Sequence, residues 1–383
     1  MKRTMRVLLA VFGGLLGLCV MASAISALST RSLWAQYAVT GAAPAPPERL
    51  TALDKARLAE TLQLKTVFGD QIWPGWGRAD IPVILWTAGA EFLTGLPEAP
   101  AGPAASGGET WQPVPGDDFL GQPYFRRLSD NPQNFAVRAG DSWAASMATK
   151  WEADRFLMTT FRNGLPGPLK AIFPYRALIL PSEAQIIGVL HEMFHAHQAS
   201  SDPARLQAAE AAHRLGERYW AADSAMRDAW AQEMDLLIRA LQAKSEGEAR
   251  ALAGQFLAQR SQRRQAANLP TDLSDYERQL EWEEGLAKYV EISAWQRASR
   301  TAGYQPAPAL ADDPYFKGYR TFEQRFGQEL SAMRRSARQE SETRFYYTGM
   351  AQAMLLDRLA PGWQARGFDD GTWLEALLMK QIE

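Results

Sequence analysis

An α+β fold is predicted for this chain, with a small sheet, one helix that carries the chemistry, a mainly helical insertion and a C-terminal helical part. Three observations predict it. Short apolar runs bounded by Pro and Gly, Ile81–Trp86 and Tyr175–Leu180, read as strands. The run from Ala184 to Ala199 has its apolar residues at helical spacing. Between 201 and 270, Ala, Arg, Gln and Glu dominate, the composition of amphipathic helices.

In chain order, Lys2, Arg3 and Arg6 precede an apolar run from Val7 to Leu28. Ala22-Ser23-Ala24 has the small-x-small form of a secretory cleavage site. The run is also long enough to span a bilayer, which takes about 20 residues. As a signal peptide or as an anchor, residues 1–29 predict export to a periplasmic or extracellular location, with the basic flank left in the cytoplasm. The single cysteine, Cys19, lies inside this run and lacks the small preceding residue of a lipoprotein signal, which argues against lipidation; the rest of the chain, without cysteine, has no disulfide. Residues 30–49 are a linker, with a Pro/Ala stretch from Ala42 to Pro47.

An α/β part is expected over 50–200. It starts with a helix from Leu50 to Phe68, turns at Ile72–Gly77, and has a Pro/Gly/Ala-rich loop over Leu96–Gly108. Tyr175–Leu180 is read as a buried strand ended by Pro181, with Ser182 as N-cap of the next helix. That helix holds His191-Glu192-Met193-Phe194-His195, and three of the chain's four histidines fall between 191 and 197. Positions i and i+4 stack on one helical face, so both imidazoles can reach one metal ion. Glu192 then projects beside the metal, where it can take a proton from water. On a helical wheel, Ala184, Gly188, His191, Glu192, His195 and Ala199 share an arc of roughly 100°. Ile186, Ile187, Val189, Leu190, Met193 and Phe194 fall opposite. The small residues beside the histidines leave room for a metal, a water and a substrate. His197 falls among the apolar positions and is read as packed; His213, in an Ala/Arg/Glu-rich stretch, as a surface residue.

Residues 201–270 are read as two or three helices inserted between motifs, one opened by Pro203 and another by a Ser245/Glu248 capping box. They form a scaffold, a cover for the cleft or a docking surface. The helical part over 271–383 begins with a helix from Asp275 to Ala298, started by Ser274 and Glu277. Glu277, Glu281, Glu284, Lys288 and Glu291 share one stripe of it. A catalytic zinc site takes three protein ligands and keeps one position open, so this stripe is the source of a third, carboxylate ligand. The same stripe also reads as a solvated face joined by Glu284 and Lys288. Gly285 in mid-helix costs about 1 kcal/mol against Ala, which points to a close backbone approach, such as that of the histidine helix.

His191-Glu192-x-x-His195, followed by Glu284-Gly285-Leu286-Ala287-x-Tyr289-x-Glu291, resembles the gluzincin metallopeptidases, in particular the aminopeptidase N-like group. The resemblance implies a zincin-like core and makes Glu284 the third zinc ligand, with Glu281 and Glu291 as alternatives. It extends to Tyr346-Tyr347-Thr348-Gly349, where Tyr346 matches the family's transition-state tyrosine and Tyr347 is its rival. Three features depart from the family. Glu283 stands in place of Asn, 89 residues separate His195 from Glu284, and there is no Gly-x-Met-Glu-Asn segment. The gap implies a helical insertion, and the missing segment argues against a simple aminopeptidase.

The expected function is zinc-dependent hydrolysis of peptide bonds in a peptide or protein substrate. His191, His195 and Glu284 hold Zn2+, Glu192 is the general base and Tyr346 the oxyanion donor. The Ala177–Leu180 strand is a candidate to align an extended substrate by edge pairing. The alternative is a non-catalytic zincin-like binding or assembly factor at the membrane, held there by residues 7–28. A net charge of −2 and the lack of a phosphate-binding loop give no sign of a nucleic-acid or nucleotide partner.

Overall fold

A computed structural model describes residues 30–42, 44–100, 109–223 and 226–382. The apolar run 7–28 and residues 101–108 of the expected loop lie outside them. No helix among the described residues is long and apolar enough to cross a membrane.

The fold is α+β, with one mixed six-stranded sheet among many helices. Its strands are β1 (Val83–Thr87), β2 (Ala90–Thr94), β3 (Gln112–Pro113), β4 (Phe125–Leu128), β5 (Phe135–Ala139) and β6 (Ser142–Ala148). They lie in the order β3-β4-β2-β1-β6-β5, with β1 and β6 parallel and every other pair antiparallel. The β1–β2 hairpin closes through Ala88 and Gly89, both at positive φ (44° and 81°), as a tight two-residue turn requires. The strand alternation is visible in β1. Val83 and Leu85 face the main core, whereas Ile84 joins Leu93, Phe125 and Ala144 in a separate cluster on the other face.

The segment Tyr175–Leu180 is not a strand. Residues Tyr175–Leu178 form a 3-10 turn in which Ala177 N–H donates to Pro174 O and Ile179 N–H to Arg176 O. With Tyr175, Ala177 and Ile179 N–H satisfied by neighbouring carbonyls and Leu180 N–H by Asp154 Oδ1 (3.4 Å), the run joins no ladder. Its apolar side chains instead build a satellite cluster in which Leu33, Tyr37, Met158 and Tyr175 are buried. An apolar run alone does not distinguish a strand from another buried segment, and here the tertiary partner decided.

The histidine helix, Ser182–Ser201, packs across β6 and β5 and against the first long helix, Ala52–Ile72. Ser182 is its first residue rather than its cap. Its Oγ accepts from Arg57 Nε, and Pro181 precedes it with no side-chain cap. Gly188 does not clear space for a ligand as its size implied, because a Cβ there would come within 2.6 Å of Met147 Cε on β6.

Among the described residues of 201–270, four α-helices stand where two or three were expected: Pro203–Ala212, Gly216–Asp223, Arg227–Gln242 and Glu246–Ala266. Asp202 caps the first, which Pro203 opens. Ser245 caps the last by accepting from Glu248 N–H, while the Glu248 carboxylate reaches Lys244 N–H, one residue earlier than a capping box would place it. Their buried faces (Trp230, Met234, Leu237, Phe256) belong to one apolar core that runs from Leu50 to Leu378.

The glutamate helix runs Thr271–Leu280, then a π-helical turn Glu281–Gly285, then Leu286–Arg300. Pro270, not a Ser274/Glu277 box, stands at its N-cap. Across it lies the tyrosine helix, Thr343–Leu359. The close approach signalled by Gly285 is real, but the partner is this helix. A Cβ on Gly285 would lie 2.5 Å from Gly349 Cα, and one on Gly349 would lie 2.5 Å from Glu281 O. Two glycines let the backbones touch.

Candidate metal centre

His191, His195 and Glu284 come together in the described structure, with one donor atom from each within 4.8 Å of the others. Glu284 Oε2 lies 3.2 Å from His191 Nε2 and 3.3 Å from His195 Nε2. Donors placed 2.0–2.1 Å from a tetrahedral ion lie about 3.3 Å apart, so the two nitrogen–oxygen separations are those a single small ion would bridge. All three residues are buried, whereas Glu192 and Tyr346 are only partly so, which leaves the trio open towards those two side chains.

The π turn delivers Glu284. One extra residue in the turn shifts the helical register, and the expected Glu stripe divides in two. Glu277 and Glu281 turn away to buried arginines: Arg260 reaches Glu281 at 2.6 Å and Arg263 reaches Glu277 at 2.8 Å. Glu284 and Glu291 face the histidines instead, with Glu291 Oε2 3.6 Å from His191 Nδ1. Lys288 pairs with Glu291 (2.7 Å) and Glu329 (3.3 Å), not with Glu284. The stripe is therefore not a solvated face. Glu281, spent on Arg260, is not among the donors, and Glu291 orients His191 from behind.

His195 is fixed by Gln198, a residue the sequence reading passed over. Gln198 Nε2 donates to Trp282 O (2.7 Å) and Glu283 O (3.2 Å), so its Oε1 accepts from His195 Nδ1 at 2.9 Å. Nε2 of His195 is thereby turned to the site, and one amide ties the histidine helix to the π turn. A polar residue three positions after the second histidine, on the same face as His191, was the available signal. Phe135 of β5 was also missed; its ring lies 4.7 Å from that of His195.

The two tyrosines diverge. The Tyr346 ring stacks on His191, 5.9 Å between centroids and 12° from parallel. Tyr347 donates to Glu329 at 3.0 Å, away from the trio. Burial, with the neighbouring Glu284 charge, pushes the Tyr346 hydroxyl above its usual range, so it stays protonated and able to donate. Burial likewise raises the Glu192 carboxyl, against the pull of His191 and His195. A raised carboxyl is a stronger base, suited to taking a proton near neutral pH. Burial lowers His191, but the hydrogen bond to Glu284 and the facing Glu291 carboxylate outweigh it and take the imidazole up to about 10 in the metal-free fold.

His197 packs on Phe194 and Phe368 and contributes nothing to the trio. His213 is not a free surface side chain. A 3-10 turn directs it between Glu283 Oε2 (3.1 Å) and Glu342 Oε2 (3.0 Å). No protein-family model, curated protein or solved structure matches this chain.

Proposed function

We propose that the chain is a mononuclear zinc hydrolase with a zincin-like core, similar to the gluzincins, that cleaves peptide bonds. The observation that carries this reading is the convergence of His191, His195 and Glu284 from two helices 89 residues apart, with Glu192 beside them. His191, His195 and Glu284 would hold a zinc ion, whose Lewis acidity would lower the pKa of a water and polarise the scissile carbonyl. Glu192 takes the water's proton and passes it to the leaving amine. Tyr346 donates a hydrogen bond to the oxyanion, a type of contact worth about 3 kcal/mol. Since Ala177–Leu180 forms no strand, alignment of an extended peptide falls to β5, an edge strand of the sheet, whose Phe135 touches His195. Glu192 favours a hydrolase over a binding scaffold, because holding metal or partner requires no base. Lys2, Arg3, Arg6 and the apolar run 7–28 support export.

Metal content by elemental analysis tests the centre. One zinc per chain is expected in the parent and a marked loss in Glu284→Ala; full retention in the variant dismisses Glu284 as a ligand. Glu192→Gln should keep its zinc and lose about 10²–10⁴-fold in hydrolysis of a peptide library. Normal turnover by that variant would sink the mechanism.

A further inference from the structure

The satellite cluster formed by residues 30–39 and 150–180 has a surface unlike the rest of the molecule. Residues 30–47 and 156–181 contain no Asp or Glu, although the chain has 43 of them. They carry Arg31, Arg162, Lys170 and Arg176. Of the carboxylates that flank these runs in the chain, Glu152 and Asp154 are buried and paired with Arg155 and Lys150, Glu183 is buried, and Glu48 is exposed. Large apolar side chains face outward here: Phe161 is 44% and Leu169 46% exposed. Phe161 stacks on the half-buried Phe173, which meets Tyr175, which meets Trp34 edge-on, with Arg162 over the Trp34 ring at 5.1 Å. Aromatic rings with cations among exposed aliphatic groups, and no acid, are the chemistry of a bilayer interface.

The course of the chain identifies what covers this surface. The apolar run ends at Leu28, and two residues later Thr30 is buried in this cluster, its Oγ1 donating to Phe173 O at 3.0 Å. The segment of the sequence most suited to lipid therefore leads directly into the surface most suited to lipid. We propose that this acid-free face seats the folded part on a bilayer that bears anionic headgroups, with Phe161 and Leu169 reaching into the acyl boundary and Arg31, Arg162, Lys170 and Arg176 at headgroup level. Each such cation is attracted to an anionic surface, and a face of this kind adds to the hold of the terminal segment. The histidine helix leaves this face at Ser182 and reaches His191 nine residues later, about 14 Å of helix, which keeps the metal centre close to the lipid. The proposal is independent of whether zinc binds.

The test uses the full chain reconstituted in vesicles of phosphatidylcholine with phosphatidylglycerol. An environment-sensitive fluorophore is attached at Leu169→Cys in a Cys19→Ser background, with Phe161→Cys as a second position. A label on native Cys19 reports that the terminal run is in lipid, and Leu120→Cys, at a residue 66% exposed, reports a site outside the face. The expected result is blue-shifted emission at 169 and 161 that is lost when the acyl chains are brominated, with neither effect at 120. Charge reversal by Arg162→Glu with Lys170→Glu should reduce the quenching at 169. Emission at 169 and 161 as water-like and unquenched as at 120 overturns the proposal. So does a blue shift that brominated lipid leaves intact, since protein rather than lipid would then cover the face.

Discussion

At the scale of residues, the centre is assembled by side chains that orient other side chains. Gln198 spends both ends of its amide, one on His195 Nδ1 and one on two carbonyls of the π turn. Gln198→Ala removes that orientation without touching a donor atom. Zinc affinity should fall by about 10–100-fold, read by competition with a chelator, while His195→Ala abolishes the site. An unchanged affinity would mean that Gln198 only packs. The histidines also make metal and proton rivals. His191 holds its proton up to about pH 10 in the metal-free fold, against 6.5 for a free imidazole. A raised folded value means that its pairing with Glu284 and Glu291 stabilises fully below pH 6.5 and is lost as pH climbs towards 10. The metal-free protein should lose thermal stability across that window, and zinc uptake at neutral pH should release protons. Melting curves with and without zinc, and uptake in weakly buffered solution followed with a pH dye, check both.

At the scale of elements, the decisive feature is a single π turn crossed by a glycine contact. All five residues Glu281–Gly285 are buried, and the turn holds Glu281 on Arg260 while Glu284 faces the histidines. A Cβ on Gly349 has nowhere to go, because the atoms 2.5 and 2.7 Å away are backbone. Gly349→Ala should therefore cost at least the 1–3 kcal/mol typical of overpacking, measured by urea unfolding, and should weaken zinc binding by shifting Glu284. A variant as stable as the parent would show that the two helices can slide apart freely. Gly362→Ala, at a glycine with a φ of 86° but no atom within 4 Å of its Cβ, separates strain from contact.

At the scale of the whole molecule, the 201–270 helices and the glutamate helix are joined by a buried ionic network. Arg260 reaches Glu233 (3.2 Å), Glu281 (2.6 Å) and Glu375 (3.2 Å), and Arg263 reaches Glu233 and Glu277. Four helices thus meet on two guanidinium groups, and the insertion is tied to the π turn that presents the third donor. Arg260→Met leaves three carboxylates facing a neutral side chain, a type of loss that costs about 3–5 kcal/mol. Denaturant unfolding should show it, together with reduced metal content at equal fold. A neutral outcome would mean that Arg263 and Arg264 take over the charges.

The sequence by itself determined the elements whose signal is local. The histidine helix was legible because its apolar residues back onto the sheet at a 3.6-residue period, and the helix starts at Pro203 and Ser245 involve near neighbours. The glycine cost at 285 announced a crossing, and spacing brought His191, Glu192 and His195 onto one face. Tertiary structure decided the rest, because the physics there depends on what lies opposite. The run 175–180 became a turn since its apolar side chains met residues 33–37 rather than a sheet edge. Glu277, Glu281, Glu284 and Glu291 are alike in a sequence stripe, and only the extra residue of the π turn, with arginines on one side and imidazoles on the other, gave each its partner. Tyr346 and Tyr347 are adjacent letters that differ by about 100° of helical rotation, and that angle put one ring on His191 and the other on Glu329.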